Sequence, residues 1–560
     1  MIRAKKTDRK KSAGRATVVA AVGLAFLGAL SFSADADEIS GRTEKTITEL
    51  PMTLQATARR WKVDPSQVTA VVIPLDRVNM KIDETAGDPM PILAVNADKR
   101  ISPASTAKLV TTLVALDRLG INFRWKTDFY ADRLPDNQGK IQTLWIRGGG
   151  DPTLVVEDFA LEIHRLMGHG VRHIEGNIVV DRSHFSLPKG DPAAFDGRAS
   201  RPYNLLPDPA IINYRNLSFE MTPVPGKDYA RIVTLPVMAG VTVPQTIALK
   251  KKGGCGNWKE AIGYRMETLK NGEKRVRFNG ALPRACGPRN FNVIAFDENE
   301  YIERLFRTLW EKEGGTWNGK VISGTVPQTG VTLLQQRLSP SLADTVRLVN
   351  KWSNNLIARH IFLSLGNVVI AEEERQERDK QSTSDSKKEN SDNGVLSGSL
   401  PYRRSLMLED ARLVITEWMQ DNGIDPTVTY IDNGSGLSRE TKTTAKAMAQ
   451  LLAAGWKSPA MSDFMASLPV SGVDGTMARR KVAVRYGHFK TGFLSDVRSV
   501  GGYVLARNGR RYAVFASVHG TKNMPGGTVF LDNVIQWVFN LEDEPVKNAL
   551  SPVEKRGKNE

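Results

Sequence analysis

In a chain of 560 residues there are only two cysteines and seven histidines. Neither cysteine sits in a Cys-x-x-Cys pair or close to a histidine, which removes thiolate metal centres and dithiol redox sites from consideration. His164, His169 and His173 cluster in sequence, but no carboxylate stands at ligand spacing from them and they read as helix surface. Neither a metal nor a cofactor is expected. Long apolar runs are as scarce: the one from Ala16 to Phe32 has no counterpart downstream long enough to cross a bilayer. The nucleophile elbow of α/β-hydrolases is missing too, because Gly434-Ser435-Gly436 lacks the Gly-x-Ser-x-Gly spacing.

The single apolar run has a recognisable setting. Arg3, Lys5, Lys6, Arg9, Lys10, Lys11 and Arg15 precede it, and Ala34-Asp35-Ala36 follows with the small-x-small form of a signal-peptidase site. Residues 1–36 are therefore expected to be a signal peptide and the mature chain to begin at Asp37, an uncleaved membrane anchor being the alternative. The formal net charge is +16; residues 1–36 hold seven basic and two acidic side chains, so the remainder carries +11. A basic surface suits an acidic polymer or an anionic membrane face. Nucleic acid, the usual rival, is out of reach of an exported chain, and the lysines and arginines read as spread rather than clustered. In an oxidising compartment Cys255 and Cys286, an even pair, are most simply a disulfide, stabilising by roughly 3–4 kcal/mol in the loop-entropy model.

What is present is hydroxyl and amine chemistry in three fragments. Ser105-Thr106-Ala107-Lys108 comes first, Ser353-Asn354-Asn355 second, and Lys490-Thr491-Gly492 third. Pro103 marks a helix start with Ser102 as its possible N-cap, and Leu109, Leu113 and Leu116 then recur at helical spacing until Gly120. Ser105 falls in the first turn, with Lys108 on the same face three residues on. A serine hydroxyl becomes a nucleophile when a neighbour takes its proton. A lysine can do so once burial and a second cation depress its pKa, and Lys490 is the candidate for that cation. The three fragments describe a serine acyl-transfer site.

In this chain order the fragments resemble the signature of penicillin-binding proteins and serine β-lactamases. The interval between Ser105 and Ser353 is far longer than a compact β-lactamase needs, which implies an insertion. The chain resembles the class C low-molecular-mass penicillin-binding proteins, the D-alanyl-D-alanine carboxypeptidase/endopeptidase group of the penicillin-binding protein 4 type. Gly148-Gly149-Gly150-Asp151-Pro152, Asp432-Asn433-Gly434-Ser435-Gly436, and Gly472-Val473-Asp474-Gly475-Thr476 agree with it. The resemblance implies that Ser105 attacks the carbonyl between two D-alanines, Lys108 takes its proton, and Ser353 relays a proton to the leaving amine. It assigns the acyl-side amide to Asn355, the terminal carboxylate to Lys490 and Thr491, and the oxyanion hole to the main-chain N–H groups of Ser105 and Phe493, beside Gly492. Arg439 would meet a side-chain carboxylate of a stem peptide. The implied partners are peptidoglycan stem peptides and β-lactam antibiotics as covalent inhibitors, with no nucleic acid and no membrane span after signal removal. A periplasmic location follows, with peripheral membrane association and homo-oligomer formation left open. A β-lactamase, or a cell-wall binding protein without catalysis, are the alternatives.

The expected fold class is α+β: a β-lactamase/transpeptidase-like domain, an antiparallel sheet flanked by helices, interrupted by an inserted, mostly-β region of one or two subdomains. Residues 37–122 and 326–545 form the catalytic domain and 123–325 the insertion, with one helix near Tyr301 to Lys312. The polar, aromatic-free run 371–400 reads as a disordered loop. His488 to Thr491, Val500 to Ala506 and Arg511 to Val518 read as strands, the last two joined at Asn508-Gly509 and covered by a helix near Val529 to Phe539. Residues 546–560 read as a polar tail without the apolar stripe of a membrane-binding helix.

Overall fold

The computed structural model describes residues 46–76, 90–385, 404–520 and 524–542. The expected signal peptide and polar tail lie outside these residues. The catalytic sheet is five-stranded and antiparallel, and both halves of the chain build it. Its order is Gly487–Leu494, Val497–Leu505, Arg511–His519, Val68–Pro74, Leu93–Val95. The strands Val68–Pro74 and Arg511–His519 pair in register along the whole of the former, from Val68 opposite Val518 to Pro74 opposite Tyr512. Both faces are covered, so these strands read as near-continuous apolar runs rather than alternating ones. Ala70, Val72, Val514 and Ala516 face the core shared with helices Met52–Trp61 and Pro525–Phe539, whereas Val71, Ile73, Ala513 and Phe515 face helices Lys108–Arg118 and Ala445–Lys457. Fully burying side chains as large as Phe515 contributes about 1.5–3 kcal/mol each.

The inserted region carries two five-stranded sheets that share one apolar core. In the first, Val321–Ser323, Ile178–Asp181, Leu144–Gly148, Lys126–Ala131 and Thr332–Leu338 follow one another, packed under helices Val156–Gly168 and Glu298–Lys312. The second orders Leu282–Pro283, Thr246–Lys250, Tyr229–Leu235, Asn216–Pro223 and Arg289–Ile294. Cys255 and Cys286 are bonded beside it, closing a loop with a sequence separation of 31.

Several local expectations need correcting. Thr332–Leu338 pairs with Lys126–Ala131 along its length, so this strand belongs to the same sheet as Lys126–Ala131. Helix Val156–Gly168 joins the one read near Tyr301, because Phe159, Ile163 and Leu166 form a buried stripe at helical spacing. The run from 371 does not begin as a loop: helix Gly366–Asp385 continues through it, supported by Glu372 bonding Arg375 and Gln376 and by Glu373 bonding Arg404. The rest of that run, 386–400, lies outside the described residues. Ser102 is no cap; its buried hydroxyl has no partner, and Ala104–Ala107 is a 3₁₀ turn leading into helix Lys108–Arg118. The basic excess is not spread, since residues 246–294 alone hold eleven basic and three acidic side chains.

His164 lies exposed beside Glu313 and His173 bonds Thr316, and no group of residues among those described could hold a metal ion. Because the disulfide closes a loop remote from the catalytic sheet, replacing both cysteines by serine should lower the stability of the inserted region by about 3–4 kcal/mol. Calorimetry should then show an earlier transition, while the rate of acylation by a penicillin should stay unchanged.

Candidate active site

Ser105 sits in the second position of the 3₁₀ turn, half-buried, and Lys108 opens the helix that follows with its side chain fully buried. The Lys108 Nζ lies 3.1 Å from Ser105 Oγ and 2.8 Å from Asn355 Oδ1, and it also bonds the Ser435 carbonyl. A neutral amine has two hydrogens and one lone pair. Asn355 and Ser435 take the two hydrogens, which leaves the lone pair for the Ser105 hydroxyl. Burial, then the Lys490 and Arg359 charges, hold Lys108 well below the usual lysine range, which favours the neutral amine that can take the serine proton.

The second fragment is a break between two helices. Leu342–Trp352 ends on Ser353, whose φ of 59° and ψ of 37° are left-handed, a conformation that non-glycine residues adopt at a cost of about 1–3 kcal/mol. Asn354 then caps the next helix, Asn355–Ser364, by accepting from Ile357 N at 3.0 Å. The middle residue of the fragment is thus a helix cap, and its neighbours turn into the cleft. Ser353 Oγ accepts from Lys490 Nζ at 2.9 Å. Asn355 Nδ2 donates to the Tyr203 carbonyl of the insertion at 3.1 Å, which fixes the amide with its oxygen towards Lys108.

The third fragment lies on the edge strand Gly487–Leu494. Gly492 is forced by packing: a Cβ there would overlap Ser499 Oγ and crowd the Pro103 carbonyl, so only glycine lets this strand press on the nucleophile turn. Lys490 is fully buried, bonds Ser353 Oγ and the Thr491 carbonyl, and burial pushes its pKa down to about 7. Thr491 Oγ1 lies 2.8 Å from Thr476 Oγ1. Phe493 is exposed, with the Arg498 guanidinium 3.6 Å from its ring centroid.

The loop 432–439 closes the other side. Gly434 and Gly436 have φ of 72° and 73°, and a Cβ on Gly436 would overlap the Ala104 carbonyl and touch Ser105 Cα. Arg439 is not free to swing: Nη1 donates to Asp496 at 2.7 Å, Nη2 to Ser495 at 3.2 Å, and its guanidinium lies 5.5 Å from the Phe195 ring. His488, two residues before Lys490, is half-buried on that strand with its Nδ1 unpartnered. Sequence reading did not find the Tyr203 and Ser435 carbonyls or Thr476. The first two are main-chain atoms that any residue supplies, and the third was visible only as part of the Gly475-Thr476 stretch.

A buried amine against a half-exposed serine, at the edge of an antiparallel sheet, defines a class: the active-serine acyl-transfer enzymes. Within it, residues 77–395 and 397–532 match the model of the D-Ala-D-Ala carboxypeptidase 3 (S13) family, and the chain belongs to that family. It is a serine D-Ala-D-Ala carboxypeptidase. It is 25% identical over 527 residues to the D-alanyl-D-alanine carboxypeptidase of Actinomadura sp. (strain R39), covering 91% of this chain and 87% of that one. The crystal structure of penicillin binding protein 4 (dacB) from Haemophilus influenzae shares the fold, with a TM-score of 0.63 and 20% identity over 88% of this chain and 100% of that one. A second structure of the H. influenzae protein, complexed with a β-lactam, has a TM-score of 0.59 at 20% identity over 87% of this chain and 99% of that one.

Gly436→Ala should displace the nucleophile turn, since the atoms a Cβ meets first are those of Ala104 and Ser105. Labelling by a fluorescent penicillin should slow by about 100-fold or more, a barrier change of about 2.7 kcal/mol, with a lowered melting temperature, because alanine is also strained at the left-handed φ of this position.

Proposed function

We propose that the chain hydrolyses both the terminal D-Ala-D-Ala bond of peptidoglycan stem peptides and the D-Ala-to-diamino-acid cross-link, through an acyl-enzyme on Ser105. The observation that carries this reading is the three-partner arrangement at Lys108, whose Nζ meets Asn355 Oδ1, the Ser435 carbonyl and Ser105 Oγ together; a neutral amine with its two hydrogens on the first two has its lone pair for the serine. Lys108 takes the serine proton as Ser105 attacks, and the main-chain N–H groups of Ser105 and Phe493 stabilise the oxyanion. Ser353, bonded to Lys490, passes a proton to the leaving amine. Asn355, already held by Tyr203, has a second amide hydrogen for the acyl-side carbonyl. Thr491 meets the terminal carboxylate, with the Lys490 charge behind it. Water then releases the product.

The half-exposed Arg439, beside Ser495 and Asp496, offers a contact for a side-chain carboxylate of the stem peptide. β-Lactams acylate the same serine, as expected of an enzyme whose H. influenzae fold relative has been seen with a β-lactam. A cell-wall substrate agrees with export to the periplasm, and no helix among the described residues is long and apolar enough to cross a membrane. The basic stretch 246–294 would attract carboxylate-rich wall peptides.

Ser105→Ala should abolish covalent labelling by penicillin and the release of D-alanine while leaving the fold intact; retained labelling would move the nucleophile elsewhere. Digestion of purified peptidoglycan by the wild type should trim pentapeptides and also split cross-linked dimers, and survival of the dimers would restrict the enzyme to carboxypeptidase action. The pH profile has a defined sign. kcat/KM reports the free enzyme, and protonated Lys490 supplies the charge that attracts a carboxylate. For substrates with a free C-terminal carboxylate the alkaline limb should therefore fall with a midpoint near the Lys490 pKa of about 7, and a flat profile well above that pH would contradict the assignment.

A further inference from the structure

Lys490 presents a geometric problem for any carboxylate that enters the cleft. Its side chain is fully buried, with Nζ bonded to Ser353 Oγ at 2.9 Å and to the Thr491 carbonyl at 2.9 Å. The cation lies behind the surface. Its charge reaches the cleft, but the hydrogen bonds to a bound anion must come from groups in front of it. Phe493, two residues along the same strand and so on the same face as Thr491, has no polar atom on its side chain. Thr491 alone offers one hydrogen to an anion with two oxygens.

A second hydroxyl stands beside it. Thr476 is exposed, and its Oγ1 is 2.8 Å from Thr491 Oγ1. In a hydroxyl pair only one hydrogen is spent on the partner. The other is free, and both can rotate towards an incoming acceptor. The segment that carries Thr476 is held in place with unusual thoroughness. Lys351, buried two residues before Ser353, bonds Asp474 Oδ2 at 2.7 Å and the Leu468 carbonyl at 2.7 Å. Asp474 Oδ1 in turn accepts from Val470 N at 2.7 Å, and Val470 bridges to His488 on the strand of Lys490. Gly475 lies so close to the Lys351 carbonyl that a Cβ could not fit between them. An ion pair whose carboxylate is partly exposed is weak evidence for stability, but a lysine on the helix that presents Ser353, clamping the residue two before Thr476, keeps the three hydroxyls in one frame.

Resting on the reading above that the cleft binds peptides and β-lactams through a carboxylate, we infer that Thr476 is a substrate-binding residue: its hydroxyl and that of Thr491 form a paired clamp on the carboxylate, with Lys490 as a buried charge behind them. Ser353 completes the row, its hydroxyl held by Lys490 for the leaving group. Lys351 and Asp474 are positioning residues for Thr476.

The test compares benzylpenicillin with its methyl ester, which has the same reactive ring but no carboxylate, on wild type, Thr476→Val and Thr476→Ser. Wild-type acylation by benzylpenicillin is the control for the parent reading; its absence would strike that reading and this one together. With that control in place, Thr476→Val should lower the second-order acylation constant for the free acid by about tenfold, through weaker binding and not through a slower acylation step at saturation. It should leave the constant for the ester within about twofold of wild type, and Thr476→Ser should restore the free-acid value. An equal loss on acid and ester, or no loss on the acid, would overturn the inference while leaving Ser105 chemistry untouched.

Discussion

The site depends on one buried amine. An ammonium group taken out of water into an apolar surround loses several kcal/mol of hydration, so Lys108 is stable inside the fold as a neutral base or as an ion with good partners. The chain provides two acceptors, and each requires a distortion elsewhere. The Ser435 carbonyl reaches Nζ because the loop 432–439 lies flat against Ala104, which admits no Cβ at Gly436. The Asn355 oxygen reaches it because a new helix starts directly after Ser353, which forces that serine into a left-handed conformation. Lys490 is close enough to disfavour a second positive charge on Lys108. A glycine, a strained serine and a buried second lysine are thus consequences of keeping one nitrogen neutral.

The inserted region takes part in this frame. Arg359 and His360, one turn beyond Asn355, bind it from the catalytic side. Arg359 Nη1 donates to the Leu205 carbonyl at 2.7 Å, and His360 Nδ1 lies 2.8 Å from the Gly150 carbonyl. Burial lowers the His360 pKa to about 4, so the ring is a neutral strut at physiological pH. The Gly148-Gly149-Gly150-Asp151 run has a structural role. A Cβ on Gly148 or Gly149 would strike the Pro209 or Lys126 carbonyl, and Asp151 is buried in an ion pair with Arg337 on the last strand of the insertion. Together with the Tyr203 bond to Asn355, these contacts couple the insertion to the orientation of a side chain that Lys108 needs.

What could be read in advance follows from where each feature is encoded. Ser105, Lys108, Ser353, Asn355 and Lys490 are side-chain chemistry at fixed intervals, and the cleft does gather them. The hairpin at Asn508-Gly509 was visible because Gly509 needs a positive φ, which is 77°. The carbonyls of Tyr203 and Ser435 were invisible because a backbone acceptor leaves no trace in residue identity. Asn354 looked like part of the motif and turned out to cap a helix. The Glu372-Glu373-Glu374-Arg375 run lacks an apolar face, so its composition points to a loop. It is helical because its charges pair along the helix and with Arg404, an ordering that composition alone does not register. The pairing of Thr332–Leu338 is not legible locally, because its partner strand Lys126–Ala131 lies about 200 residues earlier.

The pairing of Val68–Pro74 with Arg511–His519 joins positions more than 400 residues apart, across an insertion that has its own core. Contacts so distant in sequence are slow to form, and domains generally fold as units while the chain is still being made. The order of assembly is therefore imposed by topology. The insertion can collapse while the chain is still emerging, whereas strand Val68–Pro74 stays unpaired on one edge until residues 511–519 are available. The nucleophile turn packs on that sheet through Ser499 and Gly492, so its geometry waits for the same closure. Hydrolytic activity against the wall appears only after the last strand has closed the sheet.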